Sequence, residues 1–222
     1  MKKIIALFLV VGIASSFASC NRNKSTFQST ENTTYPSSSD HPETPPPDFV
    51  DTLIIEGPDC DYTVRAVKSG ENGEIIGMAV FSWKQEKATA NLSFDSEYVL
   101  DGVRYPVTQI GVGQGILSFQ EQLRSVTIPE SVLSIEKKAF SFCTSLKTVT
   151  LSEGLEKIGE MAFWGCKSLE QISIPSTVTE IGKNAFSGCE NLKSVKIPRR
   201  FENQIETIFF GQQDTLQIEY ID

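Results

Sequence analysis

Apolar and polar positions in the second half of the chain repeat with a period of 23 residues. Each unit opens on the pattern L-x-x-V-x-I, whose central aliphatic positions are Val126, Val149, Ile172 and Val195. Aliphatic residues at alternate positions predict a short strand with one buried face. In three units a proline follows the strand, and it ends the strand because it lacks the N–H that a further ladder bond needs.

The remainder of each unit predicts how the chain returns to start the next strand. A second isoleucine is followed by an alanine and phenylalanine pair and then by a cysteine, at Cys143, Cys166 and Cys189. One unit alone leaves about half of its apolar residues exposed, whereas stacked units bury them in continuous columns. The period therefore predicts a solenoid whose strands form a parallel sheet.

Two of the units, SLKTVTLSEGLEKIGEMAFWGC and SLEQISIPSTVTEIGKNAFSGC, resemble the leucine-rich repeats of BspA-type bacterial surface proteins. The resemblance covers roughly residues 98–222 and implies a mainly β fold, a right-handed leucine-rich-repeat solenoid with coils of about 23 residues and a parallel sheet on one face. Gln204 and Gln212 replace the isoleucine and cysteine of the pattern. Because terminal repeats present a less apolar face to water, residues from about 204 are predicted to form the capping rung of a repeat domain at 107–222.

Residues 50–106 lack the 23-residue period and carry strand and turn signals instead. Residues 62–67 alternate like a half-buried strand, and residues 74–83 form a second apolar run. Asp101-Gly102 predicts a two-residue hairpin turn within residues 98–105. We expect a small antiparallel β unit that caps the first coil of the solenoid.

The N-terminus has the pattern of an export signal. Two lysines precede an apolar run at residues 4–14, and small residues lead to Cys20. The run is about half the length needed to span a bilayer. The residues before Cys20 resemble a bacterial lipoprotein box, which implies removal of residues 1–19 and lipidation of Cys20. Residues 16–18, Ser-Phe-Ala, also suit ordinary signal peptidase, which would release a soluble protein.

Residues 20–49 are expected to form a disordered tether. Between residues 25 and 47 the chain holds five serines, five threonines and five prolines, with almost no aliphatic residue to bury. Such a stretch does not recover the entropy lost on ordering. Between the random-coil and polyproline limits it reaches roughly 25 to 70 Å, enough to hold a domain clear of a membrane surface.

Charge and histidine content exclude several classes of function. The chain has 20 basic and 28 acidic residues, and its net charge of −8 becomes −10 once residues 1–19 are removed. Nucleic-acid binders need a cationic face, so this class is disfavoured. The single histidine, His41, lies in the predicted tether, which argues against histidine-dependent catalysis and histidine metal sites in the folded part. We predict no enzyme activity, no cofactor and no metal.

The repeated cysteines are interpreted as small hydrophobic residues stacked in the core. No C-x-x-C spacing indicates zinc. Disulfides between neighbouring coils remain compatible with the spacing, and the sequence leaves the state of Cys60 open.

The outward face of the predicted sheet is the first candidate binding surface. The leucine, valine and isoleucine of each strand point inward, so the intervening positions face solvent. They combine small hydroxyl side chains with a charged column that is basic in three of four coils. The alternative for each residue is a solvated face whose serines and threonines serve strand propensity. The positions are Arg124, Ser125, Thr127, Lys147, Thr148, Thr150, Glu170, Gln171, Ser173, Lys193, Ser194 and Lys196.

The coil corner before the cysteine is the second candidate surface. Phe142 and Trp164 fall on adjacent coils there and are predicted to form an exposed apolar patch, which often marks an interface. The alternative is that both rings tuck over the edge of the coil or under the N-terminal unit.

The resemblance to BspA-type proteins also suggests a function. It implies an exported, non-catalytic protein that binds a protein or glycoprotein partner, as in adhesion to host or bacterial surfaces. The lipoprotein signal places it at the bacterial outer membrane, facing the cell surface or the periplasm. A structural subunit or spacer of an envelope complex is the alternative function.

Overall fold

The computed structural model describes residues 62–68, 74–83, 90–100, 102–112 and 117–222. The proposed signal peptide and tether, together with His41 and Cys60, lie outside the described residues. The described part is mostly β-structure with one short α-helix, in agreement with the predicted fold class. None of its helices is long and apolar enough to cross a membrane.

Five strands build the N-terminal unit. They are β1 (Tyr62–Lys68), β2 (Ile75–Trp83), β3 (Asn91–Ser93), β4 (Glu97–Leu100) and β5 (Val103–Ile110). The pairs β1–β2 and β4–β5 are antiparallel, and Gly102, at φ 82°, lies in the turn of the predicted hairpin. The unit differs in one respect from the antiparallel unit that the sequence predicts. Strands β2 and β5 pair in parallel, so the unit contains both parallel and antiparallel strand pairs.

The repeats contribute two kinds of strand. The first kind comes from the L-x-x-V-x-I pattern and comprises β6 (Ser125–Thr127), β8 (Thr148–Thr150), β10 (Gln171–Ser173) and β12 (Ser194–Pro198). The second kind, at the later isoleucine, comprises β7 (Ser134–Ile135), β9 (Lys157–Ile158) and β11 (Glu180–Ile181). All recorded pairings within both kinds are parallel and join residues 23 apart, as in Val126 with Val149 and Ile135 with Ile158.

Two details of sheet topology depart from the single predicted sheet. The second kind of strand continues the N-terminal unit through β5, in the order β1-β2-β5-β7-β9-β11. The domain boundary expected at residues 106 and 107 therefore falls inside β5. The first kind divides into β3-β6-β8 and β10-β12-β13, because within the described residues no strand pairing joins β8 to β10.

A row of phenylalanines runs through the core at the coil corners. We call Phe140, Phe163, Phe186 and Phe209 the inner row. Each is fully buried, and adjacent rings stack with centroids 5.3 to 5.4 Å apart. Leucines, valines and isoleucines of the strands surround this row in one continuous core. The 23-residue period thus places identical apolar side chains in contact, as stacking of coils requires.

The C-terminal coil differs from the others in local structure. Residues Arg199–Gln204 form a 3₁₀ helix, α1 spans Ile205–Ile208, and a short 3₁₀ turn covers Gln213–Thr215. The last strand, β13 (Gln217–Ile221), pairs in parallel with β12 and sets Ile218 against Val195. The expected strand positions of this coil are therefore occupied, while helical turns replace its corner.

Candidate binding surfaces

The outward sheet face consists of the twelve side chains that flank the buried centres of β6, β8, β10 and β12. Ser125 and Ser194 are half-buried, and the other ten are exposed. The structure therefore brings all twelve predicted residues to the solvent side of the strands. Six of them are serines or threonines, and the other six are long charged or amide side chains that project further from the strands.

Two ion pairs reduce the basic character of the sheet face. Lys147 Nζ lies 3.0 Å from Glu170 Oε1, and Lys196 Nζ lies 3.0 Å from Glu219 Oε1. Exposed pairs of this kind contribute less than about 1 kcal/mol to stability. Their main effect is on the net charge of the sheet face, since each pair neutralises one positive charge. Glu219 is absent from the predicted set, although its position 23 residues after Lys196 gave a signal for it.

Arg124 and Lys193 keep their charges free. Both are exposed, and within the described part of the chain neither makes an ion pair. They occupy the same repeat position as Lys147 and Glu170, at the two ends of the column. The face therefore carries two uncompensated positive charges that bracket a neutral ion pair.

The coil corner carries an exposed aromatic cluster, which we call the aromatic ridge and define as Phe119, Phe142 and Trp164. The Phe142 and Trp164 ring centroids lie 4.6 Å apart, and Phe119 stacks on Phe142 at 5.1 Å. Phe142 and Trp164 are half-buried, while Phe119 is 68% exposed. The ridge has features of both predicted arrangements, because the Phe142 ring packs against Gly165 of the next coil and its half-exposed side still forms part of an apolar surface.

Phe119 is the ridge residue that sequence reasoning missed. It lies 23 residues before Phe142 and shares its repeat position, but the irregular segment around it obscured the alignment. The same position holds Gly165, Gly188 and Gly211 in the later coils, all with positive φ. Phe119 and Phe142 adopt φ 62° and 57° there, a backbone conformation that is unfavourable for bulky side chains.

The repeated cysteines are free, buried thiols, so the inter-coil disulfides that the sequence left open are not formed. Each thiol donates a hydrogen bond to a carbonyl of the preceding coil, as Cys166 does to Phe140 and Cys189 does to Phe163. Burial raises the pKa of Cys143 and of Cys189 to about 12, because the thiolate would be desolvated. Thiols held in this form are poor nucleophiles and poor metal ligands.

Gln212 occupies the cysteine position in the last coil and ends the column. Its side-chain Oε1 accepts a hydrogen bond from Cys189 N at 2.9 Å, and its Nε2 donates to Cys189 O at 3.0 Å. A side chain that satisfies both main-chain groups of the preceding coil suits a terminal repeat. Within the described residues no group of three or more histidine, cysteine or acidic side chains is placed to hold a metal ion.

Comparison with known proteins gives a consistent result. The family model of the BspA type leucine rich repeat region (6 copies) matches residues 112–222. A crystal structure of a leucine-rich repeat protein from Bacteroides capillosus ATCC 29799 is similar, with 29% identity and a TM-score of 0.53. That similarity covers 61% of this chain and 92% of the other. No curated protein matches the sequence.

Two further solved structures are more distant. A T. pallidum leucine rich repeat protein is 24% identical over 64% of this chain and 71% of its own, with a TM-score of 0.46. The pneumococcal vaccine antigen PcpA is 23% identical over 65% of this chain, with a TM-score of 0.47. The chain corresponds to 40% of the length of the PcpA structure.

Proposed function

The chain belongs to the BspA-type leucine-rich repeat family, and from this membership we propose that it is an exported surface protein that binds a protein or glycoprotein partner. The contact surface is the outward sheet face. The twelve solvent-facing side chains of this face are the observation that carries the proposal. Short hydroxyl side chains let a partner approach the strands closely, and Arg124 and Lys193 supply charge that no neighbour neutralises within the described part.

Electrostatics favour an acidic patch on the partner. The whole chain is acidic, so a partner with a uniformly negative surface is repelled from most of it. The sheet face is an exception, because its free charges are positive. Charge complementarity of this kind raises association rates and fixes orientation more than it raises affinity. Adhesion to a host or bacterial surface is the role that this arrangement supports.

We place the protein at the outer membrane, held by a lipid on Cys20 and separated from it by the tether at residues 20–49. Replacement of Cys20 by alanine is expected to move the protein from the detergent phase to the aqueous phase in a phase-partition assay. Protease added to intact cells is expected to degrade the wild-type repeat domain. Complete protection of the domain would contradict the adhesin role and leave a periplasmic one.

The scaffold is proposed to be non-catalytic. The acidic residues that the sequence places near one another in the second coil serve structural contacts. Glu160 forms an ion pair with Lys137 at 3.4 Å, and Glu153 accepts a hydrogen bond from Ser176 at 3.3 Å. Paired, solvated carboxylates of this kind lack the apolar pocket in which a catalytic general acid works.

Site-specific photo-cross-linking tests the proposed surface. A photoreactive amino acid at Thr150, on the sheet face, is compared with one at Thr179, which is exposed beside β11. In intact cells, alone or in contact with host cells, we expect a discrete adduct from the Thr150 position and none from the Thr179 position. Adducts of equal yield at both positions, or at Thr179 alone, would contradict the assignment.

Charge reversal sharpens the same experiment. Arg124→Glu with Lys193→Glu is expected to lower the yield of the Thr150 adduct at least about ten-fold, because the two free charges contact the partner. The matched control is Lys137→Glu with Lys157→Glu, which reverses two lysines that lie off the sheet face. A single envelope protein in constant stoichiometry would identify the alternative, a subunit or spacer of an envelope complex.

A further inference from the structure

The aromatic ridge is maintained at an energetic cost that the fold does not require. Phe119 and Phe142 adopt positive φ values at a repeat position where the later coils have glycine. A side chain in this conformation costs on the order of 1–2 kcal/mol relative to glycine. Strained residues that persist are concentrated at ligand-binding sites. The coils that contain Gly165, Gly188 and Gly211 stack without an aromatic ring at this position.

The chemistry of the ridge favours an apolar ligand. The neighbouring hydroxyl groups are already used, since Ser118 donates to Lys138 O at 2.8 Å and pairs with Ser141 at 2.9 Å. One coil beyond Trp164, Ser187 donates to Phe210 O at 2.9 Å. A sugar needs free polar groups around an aromatic platform, and these serines do not supply them. The ligand must therefore bind mainly through apolar surface.

One polar group of the ridge remains available. The indole N–H of Trp164 donates to no acceptor within the described residues, and Trp164 is half-buried beside Phe142. An extended ligand with unpaired backbone carbonyls could accept this hydrogen bond. Polyproline II segments have such carbonyls, because they form no internal hydrogen bonds, and their rings pack against exposed aromatic side chains.

The spacing of the ridge also fits a polyproline II helix. Its three rings come from three successive coils, whose strands are about 4.8 Å apart. Phe119 and Trp164 are thus separated by two coils, or about 9.6 Å along the solenoid. Three residues of polyproline II extend about 9.3 Å. Successive turns of the ligand therefore meet the first and third aromatic rings in register.

We propose that the aromatic ridge binds the chain's own proline-rich segment, residues 42–47, in the polyproline II conformation. This segment reads Pro-Glu-Thr-Pro-Pro-Pro. Fourteen residues lie between Pro47 and Tyr62, where the described structure starts, and this stretch of chain extends up to about 50 Å. Six stacked repeats are only about 30 Å long, so the segment reaches the ridge in the first coils. Such docking shortens the tether and fixes the domain relative to its anchor.

Fluorescence quenching of Trp164 tests the proposal. The protein is the mature chain from residue 20 with Cys20→Ser, and with Trp83→Phe so that Trp164 is its one tryptophan. Serine is then substituted for Pro42, Pro45, Pro46 and Pro47 together. We expect the acrylamide quenching constant of Trp164 to rise about two-fold, as for a tethered ligand bound about half of the time or more. Pro36→Ser, outside the segment, is the matched control and leaves quenching unchanged.

Combining substitutions in the ridge and in the segment distinguishes docking from an unrelated change in the surroundings of Trp164. Phe119→Gly is expected to raise Trp164 quenching even though Phe142 lies between the two rings, because the segment is released. The four proline substitutions then add little in the Phe119→Gly background. Circular dichroism checks that each variant is folded, so the comparison stays valid.

The outcomes are distinct. Equal quenching with and without the four prolines overturns the proposal, as does full additivity of the two changes. A proline effect that disappears on dilution assigns the segment to a second copy and overturns docking within one chain. Restoration of protection by an added peptide of residues 40–49 at about millimolar concentration supports the ridge as the site.

Discussion

The inner row and the aromatic ridge occupy the same coil corners but follow opposite rules. The inner row has phenylalanine in four consecutive coils, fully buried and stacked at 5.3 to 5.4 Å. The ridge has aromatic rings in three coils only, and they are half-buried or exposed. Its rings stand where neighbouring coils have glycine or serine. The inner row is therefore a product of the repeat, and the ridge is a departure from it.

This difference gives a criterion that distinguishes positions which stabilise a solenoid from positions which are candidates for recognition. A residue type that is kept at one repeat position in every coil packs against its own copies, and it stabilises the fold through burial. A repeat position whose residue changes from coil to coil does not have to meet this packing requirement. The sheet face follows the same rule, because Arg124, Lys147, Glu170 and Lys193 share one column and differ in charge and pairing. Departures from the repeat are accordingly the first places to test for binding.

The largest effect is expected from truncation of the inner row. Phe163→Ala removes a fully buried ring that stacks on both Phe140 and Phe186. Such a substitution costs about 3–5 kcal/mol of the free energy of unfolding, through lost burial and the cavity that remains. Urea unfolding followed by circular dichroism measures it. A loss below about 1 kcal/mol would show that the inner row is not what holds the coils together.

The thiol column is expected to make stability fall at alkaline pH. Burial raises the pKa of Cys189 to about 12 from a usual value of 9.0, so the unfolded chain loses this proton first. The stabilising contribution is complete below pH 9 and is lost as the pH rises towards 12. Each such thiol contributes a slope of about 1.4 kcal/mol per pH unit in this window.

Cys189→Ala isolates this contribution. The variant is less stable at pH 7, since the hydrogen bond to Phe163 O is lost, but its stability declines less steeply above pH 9. Lysine and tyrosine titration is common to both proteins and cancels in the comparison. Urea unfolding at several pH values provides the slopes. Parallel slopes for wild type and variant would contradict the buried-thiol explanation.

A pair of glycine substitutions measures the packing of the ridge itself. A Cβ at Gly165 would lie 2.8 Å from Phe142 Cδ1, whereas nothing lies within 4 Å of a Cβ at Gly211. Both glycines have positive φ, so both alanine variants carry the same backbone penalty of about 1–2 kcal/mol. We expect Gly165→Ala to cost about 1 kcal/mol more than Gly211→Ala. Equal losses in urea unfolding would mean that Phe142 moves aside freely.

Much of the scaffold could be predicted from the sequence, because its signals repeat. The strand positions of β6, β8, β10 and β12, and the buried aliphatic residues within them, follow from alternation at a fixed period. The hairpin at Asp101-Gly102 was predicted for a similar reason, since a two-residue turn has strong local chemistry. Local signals that several coils share reinforce one another, and the family model matches the same repeat region at residues 112–222.

Other features depend on contacts that no local pattern specifies. The parallel pairing of β2 with β5 joins distant segments, and the missing pairing between β8 and β10 reflects geometry between coils. Phe119 escaped prediction because isoleucine-leucine at residues 116–117 and Gln120 stand where later coils have the alanine-phenylalanine pair and the cysteine. The pairing of Lys196 with Glu219 required the register of the last coil, which its helical turns obscure. Side-chain partners across coils become visible only with the stacking register.

The most direct test of the contrast is the free energy of unfolding of the Phe119→Gly variant, measured by urea denaturation. The substitution removes a ring that is 68% exposed and relieves the backbone at φ 62°. Relief of about 1–2 kcal/mol offsets the lost stacking on Phe142 and the added freedom of the unfolded chain. We predict a value within about 1 kcal/mol of wild type. A loss above about 2 kcal/mol would show that the ridge supports the fold, and would contradict its assignment to recognition.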